Sequence, residues 1–382
     1  MIEPQPPRDL VLPAQGSTTA RAVQTMALRG LFETLKTLAP DPRGTEASVA
    51  AYRSLREVLV GFLPGNPHTI SRMLDRPTVA AAVRCLRDGV GDPDLVQATI
   101  AAQGLFHLAV EGALHEPVRI EARVPELVHL DRRFRLVHDA AEPIGFARSE
   151  VDLDGERRSL VDLEPSADLV PLEGRLCLVR APEPASRLFA SSAPLLDEAS
   201  TEAFVRVLRD ALRALAQVAP GRRAVLDRFL HAVLPRASSE GSTLPAPQAL
   251  GIARVTVTSD VRSVLRELVS TTIEHPIHAL REQDRLLARG DEAPSDGGYE
   301  GVPDRLSLLV QVSTEVAWAS IAAAIRTRRD SRLPDLGEPD YSGLRERVGA
   351  AVAELVARGE PTEVGMGIVD ELGRFLRAGA ES

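Results

Sequence analysis

The residues with the most chemical potential sit together in "TTIEHPIHAL", positions 271–280, where Glu274 and His278 stand four apart and His275 follows Glu274 directly. On a helix that spacing places two side chains one turn apart on one face, as a pair of helical metal ligands requires. Zinc-protease helices carry His-Glu-x-x-His, two imidazoles with the intervening Glu as base. Here the first two letters are exchanged, so the i, i+4 pair is a carboxylate and an imidazole. Both groups can ligate Zn²⁺ or Fe²⁺, but the Glu has left the base position. Pro276 works against a site, because proline inside a helix loses the hydrogen bond to residue 272 and clashes with that carbonyl, at about 3 kcal/mol. A kink over 272–276 would disturb the spacing. Taken alone, these residues favour a solvated helix face with a partly buried His275 over a metal centre.

The helix that must position them is expected to start at a cap, Ser259 or Asp260. Val264, Leu265, Leu268, the Thr272 methyl and His275 then form its inward stripe, and Glu267, Ser270, Thr271, Glu274 and His278 share a neighbouring face. A strand over 252–258 leads into it, preceded by the Ser-, Pro- and Gly-rich "PRASSEGSTLPAPQALG" as a linker or lid. Toward the N-terminus, apolar residues recur at helical spacing in "STTARAVQTMALRGLFETLKTLA", "TEASVAAYRSLREVLVGFL", "RPTVAAAVRCLRDG" and "DPDLVQATIAAQGLFHLAVEGAL", which predicts a helical bundle over 17–114. Near Pro117 the period changes to two. "VRIEARV", "FRLV", "SEVDLDGERRSLVDL" with Asp154-Gly155 as its turn, and "LVPLEGRLCLVRA" predict a small, mainly antiparallel sheet over 117–181. Helical spacing returns in "STEAFVRVLRDALRALAQVA" and "RRAVLDRFLHAVL", and again over 303–329, 341–358 and 362–378. "RGDEAPSDGGYEG", 289–301, reads as a mobile surface loop. The expected fold class is α+β and predominantly helical. Its regions are a helical one over 1–116, a β-rich one over 117–195, and a helical one over 196–382 that contains the motif helix at 259–289.

Bulk properties narrow the function. The chain has 382 residues, 44% of them apolar, enough for a packed core. A net charge of −9 gives no broad cationic field, so nucleic acid is not expected as a partner. Lys36 is the only lysine, which leaves arginine to make the carboxylate and phosphate contacts. Cys85 and Cys177 are the only cysteines and form neither a disulfide framework nor a zinc set. With an acidic, proline-rich start and no run of about 18 apolar residues, a cytoplasmic protein without a membrane partner is expected. No G-x-S-x-G elbow, phosphate-binding loop or dinucleotide fingerprint occurs. His107, His115, His129 and His138 lie eight or more residues apart, which is no ligand motif, and read as structural; Trp318 reads as core.

The wider stretch "LPAPQALGIARVTVTSDVRSVLRELVSTTIEHPIHALREQDRLL" resembles the HExxH-motif peptide-modification proteins, a family that includes iron- and 2-oxoglutarate-dependent peptide β-hydroxylases. The resemblance implies a helical N-terminal region, strands in the middle, and a strand ending near an Asp that leads into a helix reading roughly Leu-Val-His-Glu-x-x-His. Asp260 is followed by Leu268-Val269, so the family register falls on "STTIE". Ser270 then matches the first histidine, Thr271 the Glu and Glu274 the second histidine. Gln311 falls near the histidine of a later Gly-Leu-Leu-His-Gly-like helix start, and Arg305 is the arginine left in the approach to it.

Serine and glutamine are poor ligands for such a cation, so one good ligand is left. The resemblance therefore implies a degenerate, non-catalytic relative that serves ribosomal-peptide modification as a peptide-binding or partner subunit, with no metal or other cofactor. A precursor peptide or a catalytic homologue would be its partner, strand addition at the sheet edges one mode of binding, and a homo-oligomer is left open. The alternative is an iron- and 2-oxoglutarate-dependent peptide β-hydroxylase with ligands displaced to Glu274, His275 and His278.

Overall fold

The computed structural model describes residues 9–62, 66–124, 126–139, 142–180, 196–237, 250–292, 294, 302–328, 333–337 and 340–378. It is an α+β protein with helices first, sheets in the middle and helices last. The chain forms two compact units that cut across this linear order. One comprises Leu28–Glu202 and Leu230–Val257, the other Met1–Ala27, Ala203–Phe229 and Thr258–Ser382.

The sheet-bearing unit is built around one helix. The helices α1 (Thr19–Thr37), which belongs to this unit only from Leu28 on, α2 (Glu46–Phe62), α3 (Pro67–Leu74), α4 (Pro77–Asp88) and α5 (Pro93–Val110) follow the predicted runs, with α3 added between them. Asp92 caps α5 by accepting from the Asp94 N–H, and Pro93 fills the first turn, where no amide partner is needed. Every residue from Val96 to Ala109 is buried, so α5 has no solvent face and acts as the spine of the unit. It packs against α2 and α4 and, through strands β2 (Glu126–His129), β4 (Ile144–Ala147) and β5 (Glu150–Leu153), against the sheets. Gly104 lets α2 come close, since a Cβ there would meet Leu55 at 2.9 Å.

The single antiparallel sheet expected over 117–181 is instead three. β1 (Val118–Ile120), β4, β5 and β6 (Glu156–Ser159) form an antiparallel sheet in the order β1-β4-β5-β6, and β2 pairs with β3 (Phe134–Val137) as a separate ribbon. Asp154 and Gly155 both have positive φ, 55° and 77°, as the predicted two-residue turn between β5 and β6 requires. In the third sheet β7 (Leu169–Pro171) pairs antiparallel with β8 (Cys177–Val179), while β8, β9 (Ala232–Arg236) and β10 (Ile252–Thr256) run parallel.

β9 corrects the helix expected to run through "RRAVLDRFLHAVL". That run divides into a helix, α7 (Pro220–Phe229), and the strand. Four consecutive buried residues, Ala232 to Pro235, suit a strand covered on both faces, and an apolar run that short does not reveal its period. Pro235 is tolerated because β8 pairs with β9 only at Ala232 and Val233 and so does not reach it.

The second unit is helical. It contains most of α6 (Glu198–Val218), α7, α8 (Val261–Arg281), α9 (Arg305–Arg328), α10 (Tyr341–Glu354), a π-turn at Leu355–Gly359, and α11 (Glu363–Ala378). Packing runs α7 to α8, α8 to α9, and α9 to both α10 and α11. By length and composition α9 is apolar enough to cross a membrane, but most of it is buried in the protein, as in a core helix. Trp318, on α9, is partly buried. Most of the loops at 235–251 and 289–301 lies outside the described residues.

Candidate functional site

The motif helix forms as its cap signal predicts. Asp260 accepts from the N–H groups of Arg262 and Ser263, and Val264, Leu265, Leu268, Thr272 and His275 are buried. Pro276 does not break it: α8 is continuous from Val261 to Arg281. The carbonyl of Thr272, which Pro276 leaves without its amide donor, receives Nη1 of Arg222 from α7 at 3.5 Å. A side chain thus takes the place of the missing main-chain bond, and that removes part of the reason to kink.

Of the positions that the sequence resemblance singles out, Ser270 and Thr271 are held in local hydrogen bonds on the helix. The Ser270 hydroxyl donates to the Glu274 carboxylate, and the Thr271 hydroxyl donates to the Glu267 carbonyl at 2.9 Å. Burial pushes the Glu274 carboxyl up, with the Ser270 hydrogen bond opposing, so the acid form is favoured. Gln311 is exposed on α9, whereas Glu274 is buried. His275 is buried and His278 half-buried. Arg305 is buried and engaged within the unit: it pairs with Glu354 at 2.9 Å and with Glu292 at 2.8 Å. Glu292 is exposed, as expected of a solvated loop residue, and pairs with Arg305 from there.

Beside α8, two buried charges hold the start of the chain. Nη1 of Arg222 also donates to the Leu10 carbonyl at 3.3 Å, and Nη2 donates to the Val11 carbonyl. From α11, Glu371 accepts the N–H groups of Leu10, Val11 and Leu12 at 2.7, 2.8 and 3.2 Å. Arg222 is 3% exposed and Glu371 1%, so both ions depend on these partners. Burial pulls the Arg222 pKa down against the opposing charge of Glu371, and pushes the Glu371 carboxyl up against the three N–H donors. Gly221 permits the approach, since a Cβ there would lie 2.2 Å from the Pro13 carbonyl. The Leu10 and Val11 side chains are buried, and a cleft of about 230 Å³ continues past them, lined by Leu12, Pro13, Gln15, Arg222 and Ile321. The two charged groups touch residues 10–12 only through main chain, while the Leu10 and Val11 side chains are buried, so this arrangement can hold a bent peptide segment with apolar residues at those two positions.

A second polar cluster lies in the sheet-bearing unit. Gln103, His107 and Glu111 repeat every four residues along α5 and so line one face. Gln103 donates to the Glu126 carbonyl at 2.8 Å and accepts the Val128 N–H at 3.1 Å, which fixes β2 against the helix. His129, at the end of β2, then meets His107: Nε2 of the first lies 3.2 Å from Nδ1 of the second. Burial lowers both imidazoles, His107 to about 2 and His129 to about 3, and the nearby Arg76 charge adds to it. Nearby, Asp75 accepts Arg175 at 2.7 Å and faces the buried His231 at 3.4 Å, while Arg76 pairs with Asp131 at 2.6 Å. Burial pushes the Cys177 thiol up to about 12 and the Cys85 thiol upward, which leaves neither as a thiolate nucleophile at neutral pH.

Sequence reasoning missed both clusters. For α5 a signal was present, since His107 and Glu111 have the i, i+4 spacing sought at Glu274 and His278; His129 joins them only through the pairing of β2 with the helix face. For Arg222 and Glu371 no local signal exists, because the main-chain groups of residues 10–12 that they hold lie more than 200 residues away. The chain matches no known family model, and no curated protein is significantly similar to it.

Proposed function

We propose that the protein is a non-catalytic, peptide-binding relative of the HExxH peptide-modifying proteins, and that its peptide site is the main-chain clamp of Arg222 and Glu371. The observation that carries this reading is the pair of buried, opposite charges satisfied by consecutive carbonyls and amides of residues 10–12. A main-chain clamp suits a partner whose sequence varies, as precursor peptides do, with two apolar side chains seated where Leu10 and Val11 now lie. Residues 10–12 serve as the resident occupant, and a peptide in trans competes with them. The position of Ser270 against Glu274, and the exposure of Gln311, support a lost rather than a working iron centre at the motif helix.

The test is fluorescence anisotropy with a labelled peptide spanning residues 9–16, added to the Leu10→Asp chain, whose own segment seats poorly. Saturable binding at least tenfold tighter than to the parent chain, abolished by Arg222→Met in the same background, is the expected result. A folded Leu10→Asp chain that does not bind the peptide rules the reading out.

A further inference from the structure

The polar face of α5 ends in a group that peptide binding does not use. One ring nitrogen of His107, one of His129 and one carboxylate oxygen of Glu111 all lie within 4.8 Å of one another. We propose that His107, Glu111 and His129 form a binding site for a divalent transition-metal cation of the zinc class, which ties the end of α5 to β2.

The donor chemistry selects the cation. Two imidazoles and one carboxylate are a borderline set that suits Zn²⁺ or Co²⁺, whereas Mg²⁺ and Ca²⁺ prefer oxygen shells. The distance agrees: nitrogens bound at 2.0–2.1 Å to one tetrahedral centre stand about 3.3 Å apart, and the facing nitrogens here are 3.2 Å apart; the rings lie parallel, 3° apart, so a ring must turn for both lone pairs to face one cation. Glu111 lies one helical turn beyond His107, and Arg72 holds its Oε2 at 2.8 Å, which fixes the carboxylate in place.

The surroundings of the two rings supply a second observation. Nε2 of His107 is buried with no hydrogen bond of good geometry, and the carbonyl of Thr69 is the polar group by that ring. His129 has its own carbonyl beside its ring. Metal-bound histidines typically send the N–H that faces away from the cation to such a carbonyl. Both rings are buried, 1% exposed each, which leaves a cation between them little competition from water. Opposing it are the charges of Arg76, Arg72 and Arg132 that the two rings feel, with Asp131 partly offsetting them at His129.

The competing arrangement is a simple hydrogen bond between the rings, and the two differ at one proton. The Arg132 N–H reaches Nδ1 of His129 at 3.3 Å, which puts the His129 proton on Nε2, facing His107. With a cation held by Nε2 the proton moves to Nδ1, and the Arg132 contact is given up. Imidazole ¹⁵N spectra therefore distinguish the two states.

The full chain, stripped with a chelator, is titrated with Co²⁺ and then with Zn²⁺. The expected result is one equivalent of Co²⁺ with the visible absorption of a tetrahedral site, displaced by Zn²⁺, and a switch of the His129 tautomer from Nε2–H to Nδ1–H. Glu111→Gln, at the half-buried helix end, should weaken binding at least tenfold with the fold intact, His129→Ala should abolish it, and His115→Ala should leave it unchanged. A folded parent chain that takes up no Co²⁺ at micromolar concentrations, or binding that survives both Glu111→Gln and His129→Ala, overturns the proposal.

Discussion

Arg222 donates to the carbonyl of Thr272, the acceptor that Pro276 leaves without an amide, and it also holds the carbonyls of Leu10 and Val11. One guanidinium thus completes a proline-containing helix and secures the chain's first segment. Arg222→Met should lower the unfolding free energy by about 3–5 kcal/mol, because the carbonyls of Leu10, Val11 and Thr272 lose their buried donor. Pro276→Ala restores the amide to Thr272, so the cost of Arg222→Met should be about 1 kcal/mol smaller in that background. A double-mutant cycle in urea measures both.

Glu371 makes the complementary half of the clamp. Glu371→Gln keeps the shape but loses the charge that three N–H groups share, and should cost about 1–3 kcal/mol. The loss should be local: limited proteolysis should cut near residues 9–15 at least tenfold faster than in the parent, while cleavage elsewhere stays the same.

Gln103 fixes β2 to α5 through two main-chain groups, the Glu126 carbonyl and the Val128 N–H. Gln103→Leu fills the same volume but strands both groups in the interior, at about 2–4 kcal/mol in total. Since those bonds also place His129 against His107, the substitution should weaken Co²⁺ binding without touching a ligand. Unchanged cobalt affinity in a folded Gln103→Leu chain would separate the metal site from the anchoring of β2.

Glu274 gives a pH dependence whose sign follows from its burial. Its folded pKa is raised above the unfolded value, so the stability linked to its proton is fully present below about pH 4.3 and is lost as pH rises through the folded pKa. Glu274→Gln removes that titration. The variant should be more stable than the parent at pH 8, and the difference should shrink steadily toward pH 4. Denaturation midpoints across that range check it, and a gap that widens in acid would contradict the assignment.

The helices were legible in the sequence because their apolar residues recur at helical spacing and their ends carry signals, Asp92 before α5 and Asp260 before α8. The turn at Asp154-Gly155 was equally legible from residue type. What the local pattern does not contain is partnership between distant segments. "HAVLPR" is a strand because Cys177 and Ile252 flank it, not because its own spacing differs from the helix before it. Pro276 read as a kink because Arg222 lies 54 residues earlier. The motif helix drew attention to Glu274 and His278, yet the acidic and imidazole side chains that come within ligating distance in a group of three, among the described residues, are His107, Glu111 and His129. The same i, i+4 spacing occurs at His107 and Glu111, and His129 comes to them from a strand whose position that spacing does not address.

The central claim is that residues 10–12 occupy a peptide site. Hydrogen exchange of the Leu10, Val11 and Leu12 amides, measured in the full chain with and without a saturating peptide spanning residues 9–16, tests it most directly. Displacement predicts that these three amides lose protection at least tenfold when the peptide binds, while amides in the core of α8 keep theirs. Peptide binding that leaves all three protected, or no binding at any attainable concentration, would contradict the claim.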